Sequence, residues 1–148
     1  MDDVDRQILS ILEEDARNNT NAEISDRVGV SPSTVGKRLR KLEESGVVRG
    51  YFPDIDYDRA GLPLHVLFVC TTAIPEREAL LEDALAVRGV VSVTELMTGE
   101  RNVHIEVVGR HTEDITRLAA AIDDLGITIN EETLVRTGYQ QPASVFEG

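Results

Sequence analysis

The chain has 148 residues, of which 27 are acidic and 15 are basic, and its formal net charge is −12. This length fits one domain or two small ones, and 41% hydrophobic residues supply enough apolar material for a core, which excludes a wholly disordered chain. A single cysteine excludes an intrachain disulfide and argues against a zinc site built from Cys and His clusters.

Targeting and catalytic motifs are missing from the sequence. No apolar run approaches the roughly 20 residues that cross a bilayer. The segment Met1–Asp5 is acidic where a signal peptide needs basic residues. There is no P-loop, no GxGxxG after a strand, no HExxH and no GxSxG. These observations predict a soluble cytoplasmic protein that uses no membrane, metal or cofactor and is not an enzyme.

Positive charge is concentrated in one short segment. Residues 1–50 hold 8 basic and 10 acidic side chains, whereas residues 51–148 hold 7 basic and 17 acidic ones. The two lysines of the chain, Lys37 and Lys41, lie in the stretch 31–42, which also has two arginines and no acid. This concentration favours an anionic partner. The remaining acidity, with lysine almost absent, is typical of a salt-rich cytoplasm such as that of a halophilic archaeon.

Three helices are predicted in chain order within residues 1–50. Apolar residues at helical spacing after Asp2 predict a first helix over 3–14. A capping box at Thr20–Glu23 and a stop at Gly29 predict a short second helix over 21–28. A third helix is expected to begin at the Ser31-Pro32 pair and to end at Gly46.

The third helix has two different faces. On a helical wheel its apolar residues fall within an arc of about 60°, and these residues are Val35, Leu39 and Leu42. A second arc of about 100° holds Thr34, Lys37, Arg38 and Lys41. A short helix, a tight glycine turn and a helix with exposed basic residues form a helix-turn-helix arrangement. The segment Val47–Tyr51 is expected to add a small strand or wing.

The second half of the chain predicts an α+β fold. Residues 51–63 hold two prolines and a glycine without a clear period and are interpreted as a hinge between domain 1–50 and domain 64–139. The order βαββαβ is that of a ferredoxin-like unit, with strands at 64–74, 90–98, 102–108 and 127–138 and helices at 76–87 and from a cap at Thr112 to Gly126. The tail, 140–148, is expected to be an arm or disordered.

Both faces of the first predicted strand are apolar. Val66, Phe68 and Cys70 alternate with Leu67 and Val69. Because helices cover only one face of such a sheet, the other face needs a partner. We predict a homodimer through this face, and the alternative is that the hinge or the tail covers it.

These residues resemble the Lrp/AsnC family, the feast/famine regulators of bacteria and archaea. The resemblance is carried by DDVDRQILSILEEDAR, by SPSTVGKRLRKLEESGVVRGY and by Gly61, and in the second half by strand order and the Thr98-Gly99 turn. It implies a DNA-binding helix-turn-helix, a hinge and an effector-binding dimerisation domain. It further implies a homodimer that assembles into higher oligomers such as octamers, double-stranded promoter DNA as a partner, and an amino acid or related small molecule as effector.

The resemblance also implies site residues. DNA contacts are carried over to the third helix, at Ser33, Thr34, Lys37, Arg38 and Lys41. The alternative for Arg38 and Arg40 is pairing with Glu43 or Glu44 on the same helix. Effector contacts are expected around the turn between strands two and three and on the last strand, at Thr98, Gly99, Asn102 and Thr133. The alternative for Gly99 is a plain hairpin turn.

The effector pattern departs from the family. The usual motif is Gly-x-x-Asp, whereas this chain has Gly99-Glu100-Arg101-Asn102. The amide in place of the carboxylate removes an obvious partner for an ammonium group, and Glu100 or Glu131 are the acids that could substitute.

Two other classes of function stay open on the sequence alone. Sirohaem decarboxylases resemble this family in both halves, and an enzyme of that kind would use His65, His104 or His111. The other class is a small-molecule sensor that does not bind DNA, because the chain is acidic and counterion release contributes little at molar salt.

Overall fold

The computed structural model describes residues 1–147 and divides them into two compact units. The helical unit comprises Met1–Pro53 and the C-terminal residues from Tyr139 onward, and the sheet unit comprises Asp54–Gly138. The segment 51–63, interpreted as a hinge, is therefore shared between them. Among the described residues, no helix is long and apolar enough to cross a membrane.

The helical unit contains the three predicted helices, α1 (Asp3–Glu14), α2 (Asn21–Val28) and α3 (Pro32–Glu44). The capping box of α2 is confirmed. Thr20 Oγ1 accepts from the backbone N–H of Glu23 at 3.2 Å, and Glu23 Oε2 accepts from the backbone N–H of Thr20 at 2.9 Å. Gly29 ends α2 with a φ of +86°, a left-handed conformation that favours glycine. The core of the unit is formed by Ile8, Leu9, Ile11, Ile24, Val35 and Leu42.

The expected wing is not a strand in this structure. No strand is assigned within residues 47–51. Instead the backbone N–H of Val48 donates to the carbonyl of Leu42 at 3.0 Å, and Val48 packs against the helical core. This segment therefore caps the C-terminal end of α3. Its backbone groups do not pair with a strand of the described residues.

The C-terminal tail, which was expected to be an arm or disordered, packs against the helical unit. Residues from Tyr139 onward group with the helical unit, and Phe146 packs against the helical core. A surface cavity beside Phe146 is lined by Gln7, Ser10, Ile11 and Arg27. Burial of an aromatic ring explains why the tail returns to α1. The last residue, Gly148, lies outside the described residues.

Truncating this ring is expected to destabilise the helical unit. We predict that Phe146→Ala lowers its free energy of unfolding by about 1–2 kcal/mol, less than for a fully buried ring because Phe146 is half-buried. Urea denaturation followed by circular dichroism measures this loss. Val145→Ala is the matched control, since Val145 is 70% exposed, and equal losses for both variants would contradict the docking of the tail.

The sheet unit has the predicted βαββαβ order. Its elements are β1 (Leu64–Thr71), α4 (Arg77–Leu85), β2 (Val90–Glu95), β3 (Val103–Gly109), α5 (Thr112–Asp124) and β4 (Thr128–Leu134). The strands lie in the order β2-β3-β1-β4, and every neighbouring pair is antiparallel. Side chains of β1 and β3 form the core with α4 and α5, centred on Phe68, Ile105, Leu118 and Ile122.

Three strands, β1, β2 and β4, are shorter than predicted. Glu95, the last residue of β2, pairs with Val103, the first residue of β3. Leu134, the last residue of β4, pairs with Val66 near the start of β1. β1 itself stops before a single 3₁₀ turn at Ile74–Glu76, which contains Pro75.

The start of α5 also differs from the prediction. The N-cap residue is His111 and not Thr112. The Asp114 carboxylate accepts from the backbone N–H groups of His111 and Arg110, each at 2.9 Å. These bonds favour the ionised carboxylate and lower the pKa of Asp114. Asp114 therefore supplies the cap that the sequence interpretation assigned to Thr112.

The outer face of the sheet, turned away from α4 and α5, is apolar at its centre and polar at its margins. Leu67 and Val69 lie on this face in β1, and neither is fully buried. Their neighbours in the ladder are polar, and they are Glu106, His104, Thr133 and Glu131. The homodimer expected through this face stays a prediction.

Candidate functional site

The first turn of α3 gathers three hydroxyl groups. Ser31 Oγ accepts from the backbone N–H of Thr34 at 3.2 Å and lies 2.8 Å from Thr34 Oγ1 and 3.1 Å from Ser33 Oγ. Ser33 is exposed and Thr34 is half-buried. The helix therefore begins with short polar side chains, which allow close approach of another molecule and can both donate and accept hydrogen bonds.

Three cations of α3 are exposed and unpaired within the described residues. Lys37, Arg40 and Lys41 are exposed, and none of them forms an ion pair with an acid of residues 1–147. The alternative that Arg40 pairs with Glu43 or Glu44 is therefore not what the structure has. These side chains lie on the face of α3 opposite the buried Val35 and Leu42 and are available to anions.

Arg38 differs from the other cations. Its Nη1 donates to Asp2 Oδ2 and lies 3.5 Å from Asp5 Oδ1, and both acids stand at the N-terminus of α1. The alternative pairing with Glu43 or Glu44 is therefore not what the structure has, and the DNA contact of Arg38 stays a prediction. The sequence interpretation missed the pairing of Arg38 with Asp2 and Asp5 because the two segments are far apart along the chain.

The turn between α2 and α3 is held by short contacts. The Ser25 hydroxyl donates to the carbonyl of Val30, across the turn. At Gly36 a Cβ atom would lie 3.3 Å from Asn21 Nδ2, so α2 and α3 approach closely there. This packing fixes α3 on α2 and leaves its cationic face outward.

The predicted effector residues differ in their exposure to solvent. Thr98 and Gly99 are exposed in the turn between β2 and β3, and Gly99 has a φ of +95°. This conformation fits the plain-turn alternative for Gly99. Thr133 is exposed on the edge strand β4, beside Leu67 of β1.

Asn102 is buried and its amide is occupied. Its Oδ1 accepts from the backbone N–H of Thr72 at 3.0 Å, and its Nδ2 donates to the carbonyl of Thr72 at 3.1 Å. The residue is 7% exposed. It therefore ties the start of β3 to the end of β1. Beside it, Arg101 is paired with Glu131, so one acid that could substitute for the missing carboxylate already has a cation.

Removing this amide is expected to destabilise the sheet unit. We predict that Asn102→Ala lowers the free energy of unfolding by about 2–4 kcal/mol, because a buried N–H and a buried carbonyl lose their partner. Asn102→Asp, which introduces the residue usual in the resembling family, is expected to lose at least as much, since its carboxylate would be buried and one of its oxygens would face the Thr72 carbonyl oxygen. Urea denaturation tests both, with Asn130→Ala, which removes an exposed hydrogen bond from the Thr71 hydroxyl, as control. Losses no larger than that of the control would contradict the structural role.

The histidines do not form a catalytic cluster. His65 and His104 lie on neighbouring strands but pair with Val108 and Val69, respectively. His65 Nε2 is 3.6 Å from Glu106 Oε2, and the Ser92 hydroxyl donates to the same carboxylate at 3.1 Å. The Ser92 hydroxyl is thus bound to Glu106 and not to a histidine. Within residues 1–147, no group of three His, Cys, Asp or Glu could hold a metal ion.

The buried thiol is likewise unreactive. Cys70 is fully buried in the core of the sheet unit. Burial raises the pKa of this thiol to about 12. Cys70 is therefore a small core residue.

Known proteins match both units. A family of winged helix-turn-helix DNA-binding domains matches residues 1–49. The leucine-responsive regulatory protein of Rhizobium meliloti is 32% identical over 93% of this chain and 86% of its own length. The chain belongs to the Lrp/AsnC family of DNA-binding transcriptional regulators.

Other members of the Lrp/AsnC family support the same assignment. The HTH-type transcriptional regulator AldR of Mycobacterium tuberculosis is 36% identical to this chain over 118 residues. The matched part covers 78% of this chain and 65% of the length of AldR. The crystal structure of MtbAldR superposes with a TM-score of 0.80 and 30% identity, over 97% of this chain and 99% of that one. The α+β architecture with an N-terminal helix-turn-helix is therefore that of Lrp/AsnC regulators.

Proposed function

We propose that this Lrp/AsnC regulator binds promoter DNA sequence-specifically as a dimer or higher oligomer, and that an amino acid or a related small molecule modulates the binding. The observation that carries the proposal is the exposed set Lys37, Arg40 and Lys41 on one face of α3, which has no ion pair with any acid of residues 1–147 in a chain with 27 acids. Exposed arginines such as Arg88 and Arg117 occur elsewhere, but the clustering of three cations on one helix of an acidic protein favours α3 as its anion-binding surface.

The side chains of α3 divide between two tasks in this proposal. Ser33 and Thr34 lie at the N-terminal end of α3. Their side chains are short, so the helix can enter the major groove closely enough for their hydroxyl groups to contact base edges. Lys37 and Lys41, one turn apart, bind phosphates and fix the register of the helix on the duplex. Phosphate contacts supply affinity, and base contacts supply the preference for one sequence.

The effector region is proposed on narrower grounds. Thr98, Gly99 and Thr133 are exposed and remain candidates for contact with a small molecule. Asn102 is proposed to shape the turn without touching the effector, because Thr72 occupies its amide. An effector that binds here meets the Arg101–Glu131 pair and not a free carboxylate at position 102. Thermal shift with the standard amino acids, in the wild type and in Thr133→Val, tests this assignment.

Footprinting tests the DNA-binding proposal. We expect hydroxyl-radical footprints on the DNA upstream of the protein's own coding sequence to show two half-sites. A dimer would place them about 10 base pairs apart, or a multiple of that spacing, and would relate them by a dyad. A single unpaired half-site would contradict the dimer, and uniform protection would contradict sequence preference.

We also propose that the chain regulates transcription and is not an enzyme, and that it acts in the cytoplasm, where its DNA is. The decarboxylase alternative needs His65, His104 or His111 at a tetrapyrrole pocket. His111 instead begins α5, and the other two share no polar partner among the described residues. A tetrapyrrole absorbance band in the purified protein would contradict this proposal.

A further inference from the structure

We propose that Arg38 is a positioning residue of α3, held by the N-terminus of α1, and not one of the side chains that touch DNA. The inference rests on the proposed function, because the position of α3 matters for binding only if α3 is the helix that meets the duplex. It removes one residue from the predicted contact set and assigns a role to Asp2 and Asp5, which the sequence interpretation treated as a helix cap and as solvated acidic surface.

The two carboxylates divide their oxygens between two tasks. Asp2 Oδ1 accepts from the backbone N–H of Asp5 at 3.0 Å, and Asp5 Oδ2 accepts from the backbone N–H of Asp2 at 3.1 Å. The remaining oxygens, Asp2 Oδ2 and Asp5 Oδ1, both face Nη1 of Arg38. One guanidinium nitrogen therefore joins the capping box of α1 to the middle of α3. We call these three residues the α1–α3 clip.

The clip is partly withdrawn from solvent and stays ionised. The Asp5 side chain is 14% exposed, whereas those of Arg38 and Asp2 are 36% and 51% exposed. The backbone N–H of Asp5 and the Arg38 guanidinium together lower the pKa of Asp2 to about 2. A carboxylate whose pKa falls from 3.8 on folding contributes stability above pH 3.8 and loses it as the pH falls toward about 2. The clip is therefore closed at neutral pH.

Charge balance supports the same conclusion. The start of α1 holds three carboxylates, on Asp2, Asp3 and Asp5, which would repel phosphate. Arg6 pairs with Asp3, and Arg38 pairs with the other two. The two acids contact only Nη1 of Arg38, so a phosphate contact by Arg38 would use its remaining N–H groups and would place the phosphate beside two carboxylates that repel it. Lys37 and Lys41 can bind phosphate without breaking any ion pair of the described chain.

Asp2→Asn distinguishes the two roles by the sign of its effect. Asparagine is as good an N-cap as aspartate, so its amide oxygen can still accept from Asp5 and α1 keeps its cap. If Arg38 positions α3, opening the clip weakens binding to the upstream duplex. If Arg38 binds phosphate, the variant frees it and removes a repelling charge, so binding tightens. Asp3→Asn is the matched control, because it makes the same change of charge one residue away and leaves the clip intact.

The experiment is fluorescence anisotropy with the full chain, the upstream duplex and a scrambled duplex, over a KCl series. We expect Asp2→Asn and Arg38→Gln each to weaken binding to the upstream duplex at least about threefold relative to Asp3→Asn. Their effects should not add, since both open one clip. The logarithm of the binding constant falls linearly with the logarithm of the KCl concentration, and the steepness of this fall is the salt slope. Arg38→Gln should keep the salt slope of the wild type, whereas Lys37→Gln should lower its magnitude by about 0.9. Circular dichroism melting checks that every variant is folded.

The outcomes separate this inference from the proposed function. Tighter or unchanged binding by Asp2→Asn, or a salt slope lowered by about 0.9 in Arg38→Gln, would overturn the positioning role. No preference of the wild type for the upstream duplex, with an unchanged slope in Lys37→Gln, would instead overturn the proposed function. If Arg38→Gln does not fold, the comparison of Asp2→Asn with Asp3→Asn decides alone.

Discussion

Reversing both lysines of α3, in Lys37→Glu with Lys41→Glu, is expected to weaken binding to the upstream duplex by at least about 100-fold at about 0.15 M KCl. Each lysine neutralises a phosphate in the proposed complex, and each glutamate would repel one. Neither lysine forms an ion pair within the described residues, so the double variant should fold like the wild type. Anisotropy measures the affinity, and circular dichroism measures the fold.

The matched control makes the same change of net charge in the sheet unit. Arg88→Glu with Arg117→Glu reverses two exposed cations there. If affinity depended only on net charge, both double variants would bind equally weakly. We expect the control to retain binding within about threefold of the wild type, because neither arginine belongs to the proposed DNA-binding helix and salt screens the effect of net charge alone. Unchanged affinity in the α3 variant would refute the assignment of α3.

The second large effect is expected on the outer face of the sheet. Placing acids there, in Leu67→Asp with Val69→Asp, should convert the protein to a monomer of 16.3 kDa. We expect the dimer dissociation constant to rise at least about 1000-fold, since two unpaired carboxylates would be buried at the centre of the proposed interface. Sedimentation equilibrium at micromolar concentration measures the mass.

The control for the dimer adds two acids to the helical layer. Ala79→Asp with Ala120→Asp changes exposed positions on α4 and α5, on the other side of the sheet. This variant should sediment like the wild type. A monomeric wild type, or dissociation of both variants alike, would contradict an interface through Leu67 and Val69.

Local signals allowed most of the fold to be predicted. The bounds of α1 and α2 are confirmed because each start has a capping box and α2 ends at a glycine with positive φ. The ends of the strands were predicted less accurately, because the end of a strand depends on its pairing with another strand. The last residue of β2 is fixed by Val103, on another strand, and nothing near Glu95 in the sequence states this.

The candidate site was predicted in part for the same reason. Exposure of Lys37 and Lys41 follows from the helical period, and the structure places both as expected. Arg38 lies about 40° from Leu42 on the wheel, closer to the apolar stripe than the lysines, and this proximity favours a contact inside the unit. Its partners, Asp2 and Asp5, depend on how α1 packs on α3. The hydrogen bonds between the Asn102 side chain and the backbone of Thr72 depend in the same way on where β1 ends.

The central claim is that the cationic face of α3 recognises a DNA sequence. Anisotropy of the wild type with the upstream duplex and with a scrambled duplex, from about 0.1 M to about 2 M KCl, tests it most directly. We predict that affinity for both duplexes falls with salt while the preference for the upstream duplex persists, because base contacts do not depend on counterion release. Equal affinities that vanish together as salt rises would contradict the claim and reduce α3 to a non-specific cationic surface.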